Sequence, residues 1–188
     1  RWRPRFDGEA PQIPLVIAGE EVLADHTVRS CLDPSRPGVV VGRYRQATEA
    51  DIGRAVACAA ADPDGWRARS VRERAEILGR VAQEVRKARG DLMGAALANG
   101  GKTLPESDPE VSEAVDFLEF YRDNARWWQE VPGLIARGLG VVVVVSPWNF
   151  PIAIPCGGIA AALAAGNTVL VKPASDTVLV AYVLCQCF

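Results

Sequence analysis

Gly140-Val141-Val142-Val143-Val144-Val145 runs straight into Ser146-Pro147-Trp148-Asn149-Phe150-Pro151. The first stretch is apolar without alternation, the pattern of a parallel strand buried on both faces. Pro147 ends it, because proline supplies no N–H to a sheet ladder. Open α/β sheets gather their ligands beyond the C-terminal ends of the strands, and Asn149 stands there. Its carboxamide N–H groups suit a developing oxyanion in a water-poor site. The alternative reading is a turn residue, the commoner use of a loop Asn.

The period then changes and returns. Ile154–Ala165 is small and apolar, with Gly157, Gly158 and a run of alanines that lets a helix approach a sheet closely. Gly166-Asn167 reads as a turn, Thr168–Val171 as a second strand, and Asp176 or Thr177 as the start of another helix. Strand–helix–strand–helix predicts a parallel, right-handed crossover. Val178–Phe188 is apolar nearly all round and lacks a C-cap, which predicts burial on several sides. Two parallel strands do not make a stable sheet alone, so the chain reads as part of a longer polypeptide.

Upstream, residues 1–45 are rich in Pro and Gly and read as an N-terminal arm with one or two short strands. Arg1-Trp2-Arg3-Pro4-Arg5 reads as a solvated tail. Thr48-Glu49-Ala50-Asp51 opens a helix over Ile52–Ala61 that Asp62-Pro63 closes. Ser70-Val71-Arg72-Glu73 is a capping box, opening Val71–Arg89 with Ile77, Leu78, Val81 and Val85 on one face; Gly90 is expected to stop it. Asp91–Asn99 is a short helix closed by Gly100-Gly101. Ser107-Asp108-Pro109-Glu110 has capping-box spacing and predicts the start of a long helix to about Trp128, with Glu110 as the box carboxylate.

The 188 residues suffice for a well-buried domain. A net charge of −2 speaks against a general nucleic-acid binder. No apolar run reaches the length of a membrane span, and no secretory signal is recognisable. Cys31, Cys58, Cys156, Cys185 and Cys187 are odd in number and irregularly spaced, which fits free packing thiols in a reducing cytosol. No metal site is expected, since the single His26 lies far from any cysteine pair.

Three blocks, Ser146-Pro147-Trp148-Asn149-Phe150-Pro151, Ala165-Gly166-Asn167-Thr168-Val169 and Val171-Lys172-Pro173-Ala174, closely resemble the aldehyde dehydrogenase superfamily. Gly101-Lys102-Thr103 and Glu110-Val111-Ser112-Glu113-Ala114-Val115-Asp116-Phe117 resemble it too, most of all the 1-pyrroline-5-carboxylate (L-glutamate γ-semialdehyde) dehydrogenases found in bacterial bifunctional proline-utilisation proteins. The resemblance covers roughly residues 45–188. It implies an α/β fold: an N-terminal helical part and the first strands of an aldehyde-dehydrogenase-like parallel-sheet cofactor domain, truncated. Residues 46–188 would be the N-terminal portion of the NAD-binding domain, with the catalytic domain absent.

The resemblance also implies roles. Asn149 would be the catalytic oxyanion donor toward a thiohemiacetal. Val145, Ser146, Pro147 and Trp148 would line the nicotinamide half of NAD, and Lys172 would sit on the adenosine ribose. Phe150 would wall the aldehyde tunnel, and Glu113 would lie near the substrate. Plainer readings stand beside these: core aromatics for Trp148 and Phe150, a solvated strand-end lysine for Lys172, an exposed helix charge for Glu113. Ser175 stands where NAD-preferring members commonly carry Glu, which removes a repulsion and admits NADP. None of the five cysteines matches the family's nucleophile motif, so the isolated chain is expected to be inactive.

The expected activity is NAD(P)-dependent oxidation of L-glutamate γ-semialdehyde to glutamate in proline catabolism. The expected setting is a cytoplasmic homo-oligomer, with covalent fusion to a proline dehydrogenase among the arrangements the resemblance admits. The alternatives are another aldehyde or semialdehyde dehydrogenase and a non-catalytic nucleotide-binding module.

Overall fold

A computed structural model describes residues 9–24 and 26–188; the basic tail at Arg1–Arg5 lies outside them. Among the described residues the first segment holds five short strands where one or two were expected: β1 (Gln12–Ile13), β2 (Leu15–Ile17), β3 (Glu20–Val22), β4 (Val28–Leu32) and β5 (Val40–Arg45). β2 and β3 form a hairpin across Ala18-Gly19. Both turn residues have positive φ, 54° and 79°, the geometry of a tight hairpin that matches strand twist. β5 pairs with β1 in parallel and with β4 in antiparallel. This sheet is not detached, because Ile13, Cys31 and Val41 belong to the main core cluster.

Helix α1 (Glu49–Ala61) starts where local chemistry requires. Thr48 and Asp51 exchange side-chain and backbone hydrogen bonds, and Asp62 closes the helix in the left-handed conformation. Helix α2 (Val71–Lys87) is opened by the Ser70/Glu73 box and buries Leu78, Val81 and Val85. It ends at Ala88, and Gly90 lies inside the next helix, α3 (Arg89–Gly100), rather than stopping the one before. Gly101, with φ of 66°, closes α3.

The long helix α4 (Leu104–Glu130) starts earlier than the Ser107 spacing suggested. Its capping box is Thr103 with Glu106. Thr103-Leu104-Pro105-Glu106 has the same spacing as Ser107–Glu110, and it wins because the αL turn at Gly101 ends α3 directly before it. Ser107 is thereby a buried helical residue whose hydroxyl donates back to the Thr103 carbonyl at 3.1 Å. Glu110 becomes an interior residue of the helix, not a cap.

β6 (Val141–Val145), α5 (Ala153–Ala164) and β7 (Thr168–Lys172) form the expected strand–helix–strand unit, with β6 and β7 parallel from Val141↔Thr168 to Val145↔Lys172. β6 is not buried on both faces: Val143 and Val145 are exposed. Val144 faces α5, where a Cβ on Gly158 would come within 3.0 Å of its Cγ1. A short 3₁₀ turn (Ser175–Thr177) leads into α6 (Val178–Cys185), which buries Leu179, Val180, Ala181 and Leu184. Asn99 joins α3 to α6 by accepting from the Leu179 amide at 3.1 Å.

Asn167 ties the end of α5 to the start of β6. Its Oδ1 accepts from the Gly140 amide at 2.9 Å and its Nδ2 donates to the Ala162 carbonyl at 3.0 Å. Arg74 on α2, buried, caps the other side of the same corner by donating to the Ala164 carbonyl at 3.2 Å and to the Arg69 carbonyl. This polar corner lies at the opposite end of the unit from the strand ends at Val145 and Lys172.

Candidate active site

The C-terminal ends of β6 and β7 lie side by side. The ladder continues one bond past β6, with the Ser146 amide donating to the Lys172 carbonyl at 3.1 Å. Val145, Ser146 and Lys172 therefore share one end of the sheet, and Ser175 stands exposed just beyond it. The Ser146 hydroxyl is buried with no hydrogen-bond partner among the described residues. A buried hydroxyl left unpaired costs free energy unless something outside the protein satisfies it.

After Pro147 the chain turns outward. Trp148, Asn149 and Phe150 are all exposed, Trp148 at 59% and Phe150 at 44% of their surface. None of the hydrogen bonds among the described residues uses the Asn149 carboxamide; its backbone carbonyl is held instead. Lys102 Nζ donates to that carbonyl at 3.0 Å and stands 4.2 Å from the centroid of the Phe150 ring. At such a distance the ring face attracts a cation.

The residue that organises this loop from below is Glu110. Its side chain is 1% exposed and that of Lys102 is 12% exposed, and their charged atoms meet at 2.6 Å. The other carboxylate oxygen accepts from the amides of Ile152 and Ala153 at 2.7 and 3.1 Å. These amides open α5, whose N-cap residue, Ile152, offers no side-chain cap. The first amides of a helix lack intrahelical partners and carry the positive end of its dipole, so a carboxylate there is doubly favoured.

Sequence reasoning placed Glu110 at a helix cap and so missed this contact. The available signal was its place in the stripe Ser107, Val111, Ala114, Leu118, all buried. Glu113, the residue expected near the substrate, is exposed, and no hydrogen bond or ion pair among the described residues brings its side chain to the loop.

Three of the five thiols, Cys31, Cys156 and Cys187, are buried packing groups, whereas Cys58 is half-buried and Cys185 is exposed, against the expectation that all five pack. Burial pushes Cys31 and Cys187 up to about 11 and Cys156 higher still. Cys156 lies under the loop on α5 and its S–H faces the Ala114 carbonyl at 3.5 Å. A thiol held protonated in this way is a poor nucleophile. Among the described residues no cluster of His, Cys, Asp or Glu could hold a metal ion, and no helix is long and apolar enough to cross a membrane.

Comparison with known proteins adds a family. A model described as the aldehyde dehydrogenase family matches residues 23–188. The bifunctional protein PutA of Klebsiella aerogenes is 41% identical over 162 residues, which is 86% of this chain and 12% of PutA. A 1-pyrroline-5-carboxylate dehydrogenase of Geobacillus thermodenitrificans is 38% identical over 181 residues, 91% of this chain and 35% of that protein. A crystal structure of 1-pyrroline-5-carboxylate dehydrogenase from Thermus with bound NAD superposes with a TM-score of 0.89 at 32% identity, covering 98% of this chain and 37% of that one. The chain thus spans between about an eighth and about a third of the length of these relatives.

Proposed function

The chain belongs to the aldehyde dehydrogenase family, and from that premise we propose that it contributes to an NAD(P)-dependent enzyme oxidising L-glutamate γ-semialdehyde to glutamate in proline catabolism. The choice of substrate rests on the relatives named for 1-pyrroline-5-carboxylate oxidation. The observation that carries the reading is the Asn149 carboxamide. It is exposed past the end of a parallel strand and makes no hydrogen bond among the described residues, while its own carbonyl is pinned by Lys102. A donor held by its backbone and unspent at its side chain can meet a negative oxygen without first reorganising.

Residues 46–188 act in this reading as the first portion of the cofactor domain, with residues 1–45 as an N-terminal arm. The unpaired Ser146 hydroxyl, the exposed Trp148 and the exposed Lys172 and Ser175 beyond β7 fit a dinucleotide laid across the strand ends. Val145, Ser146, Pro147 and Trp148 would hold its nicotinamide half and Lys172 its ribose hydroxyls. NAD, when bound, supplies the acceptor for the hydride. Ser175 brings no carboxylate to repel a 2′-phosphate, so NADP is accommodated as well. Asn149 stabilises the oxygen of the substrate as it gains charge, and Phe150 walls the approach. Glu113, on the exposed face of α4, would meet the substrate from the solvent side. The nucleophile is none of Cys31, Cys156 and Cys187, whose thiols stay protonated.

The PutA relatives support a proline dehydrogenase in the same polypeptide. A cytoplasmic, homo-oligomeric enzyme completes the proposal.

The test uses the polypeptide encoded by the whole gene. Reduced cofactor is expected to form fastest with glutamate γ-semialdehyde, ahead of succinic semialdehyde and a simple alkanal. Asn149→Ala is expected to lower kcat by about 100- to 1,000-fold. A preference for another aldehyde would overturn the substrate, and cofactor binding with no oxidation of any aldehyde would favour a nucleotide-binding module.

A further inference from the structure

We propose that Lys102 and Glu110 are positioning residues for the oxyanion-binding side chain of Asn149, an inference that rests on the dehydrogenase reading above. The two residues form a buried clamp with four points of attachment. Glu110 holds the amides of Ile152 and Ala153 at 2.7 and 3.1 Å. Lys102 holds the Asn149 carbonyl at 3.0 Å and covers the Phe150 ring at 4.2 Å. The 2.6 Å ion pair between them closes the ring.

The clamp grips the segment on both sides of Phe150 and Pro151, so the reacting carboxamide is fixed by its own backbone and by the helix that follows. Removing either partner strands a charge that is almost wholly buried, and a stranded buried charge is far costlier than a missing surface pair. Glu110 comes from α4 and Lys102 from the turn between α3 and α4. The helical layer thereby sets the position of a residue that belongs to the strand–helix unit. Neither side chain needs to touch the reacting atoms to do this.

The experiment compares wild type, Glu110→Gln, Lys102→Met, Lys102→Arg and Asn149→Ala in the polypeptide encoded by the whole gene. Glutamine keeps the shape of the carboxylate, so a folded variant is available, and thermal melting identifies any that is not. Amide exchange at Ile152 and Ala153 is expected to quicken by about 10- to 100-fold in Glu110→Gln and Lys102→Met. The same variants should lose about tenfold or more in kcat, with the aldehyde KM and the NAD dissociation constant within about threefold of wild type. Lys102→Arg, which keeps the charge, should recover most of the loss. Unchanged exchange at the two amides, or unchanged kcat in the clamp variants while Asn149→Ala collapses it, overturns the clamp and leaves the dehydrogenase reading standing. An Asn149→Ala enzyme with wild-type kcat sinks that reading and the positioning role with it, whatever the exchange data show.

Discussion

Gly157 and Gly53 are both helical glycines, and replacing each by alanine should move stability in opposite directions. Gly53 lies on the exposed face of α1, and a Cβ there would meet nothing within 4 Å. Alanine at such a site gains roughly 0.5–1 kcal/mol, by helix propensity and by a smaller unfolded ensemble. Gly157, on α5, faces Phe117 of α4. A Cβ there would stand 2.9, 3.1 and 3.3 Å from Cδ2, Cγ and Cε2 of Phe117. The ring is half-buried and stacks on Tyr121 with centroids 6.0 Å apart, which limits its retreat on that side. Overpacking of this kind costs about 1–3 kcal/mol, and the same propensity gain offsets only part of it. The two variants should therefore differ by about 1–3 kcal/mol, equivalent to roughly 0.5–1.5 M in urea midpoint for a slope near 2 kcal/mol/M. Urea unfolding of the chain followed by far-UV circular dichroism reads this directly. Because Gly→Ala acts alike on both unfolded states, the difference isolates the contact with Phe117. A Phe117→Leu background should then absorb most of the Gly157→Ala penalty, a coupling that a double-mutant cycle measures. Gly157→Ala as stable as Gly53→Ala would refute the close approach of α5 to α4, and with it the fixed distance over which Glu110 reaches the α5 amides.

The buried thiols predict a loss of stability in alkali. Cys31 keeps its proton in the folded state up to about pH 11, whereas an unfolded thiol releases it near 8.5, so its contribution is complete below about pH 8.5 and is lost as the pH rises toward 11. The difference is worth about 3 kcal/mol for this group, and Cys31→Ala should flatten the decline in urea midpoint between pH 8.5 and 11; an unchanged slope would mean the thiol ionises in place. Asn167→Asp should destabilise the β6–β7 unit by about 1–3 kcal/mol at neutral pH, because it turns a carboxylate oxygen toward the Ala162 carbonyl in place of an N–H. Lowering the pH below the aspartate pKa restores a donor and should recover part of the loss, and a deficit indifferent to pH would place the damage elsewhere.

How far the sequence could be read depended on whether a signal was local. The boxes Thr48/Asp51 and Ser70/Glu73 are self-contained, since cap and partner lie three residues apart and settle the helix start between them. β6 was legible from five valines, and its pairing with β7 from the connecting helix. Its exposed face was not, because Val143 and Val145 carry no mark that says what covers them. The strands before residue 45 are two to six residues long, too short for periodicity to register.

Glu110 is the instructive failure. Thr103–Glu106 and Ser107–Glu110 both satisfy the capping-box spacing, and a spacing rule alone does not choose between them. The choice is made by Gly101, whose left-handed turn ends α3 and leaves Thr103 as the next available cap. Once the helix starts there, Glu110 shares a face with Ser107, Val111, Ala114 and Leu118, and its carboxylate is carried into the core whether or not a cap needs it. A charge so placed must find partners or the helix would not pack. It finds Lys102 just ahead of its own helix and two amides more than forty residues downstream. Glu113 is rotated out of that stripe, three residues on, and meets solvent. The acidic residue that matters for the loop was thus identifiable from helical phase, had the start of the helix been placed one turn earlier.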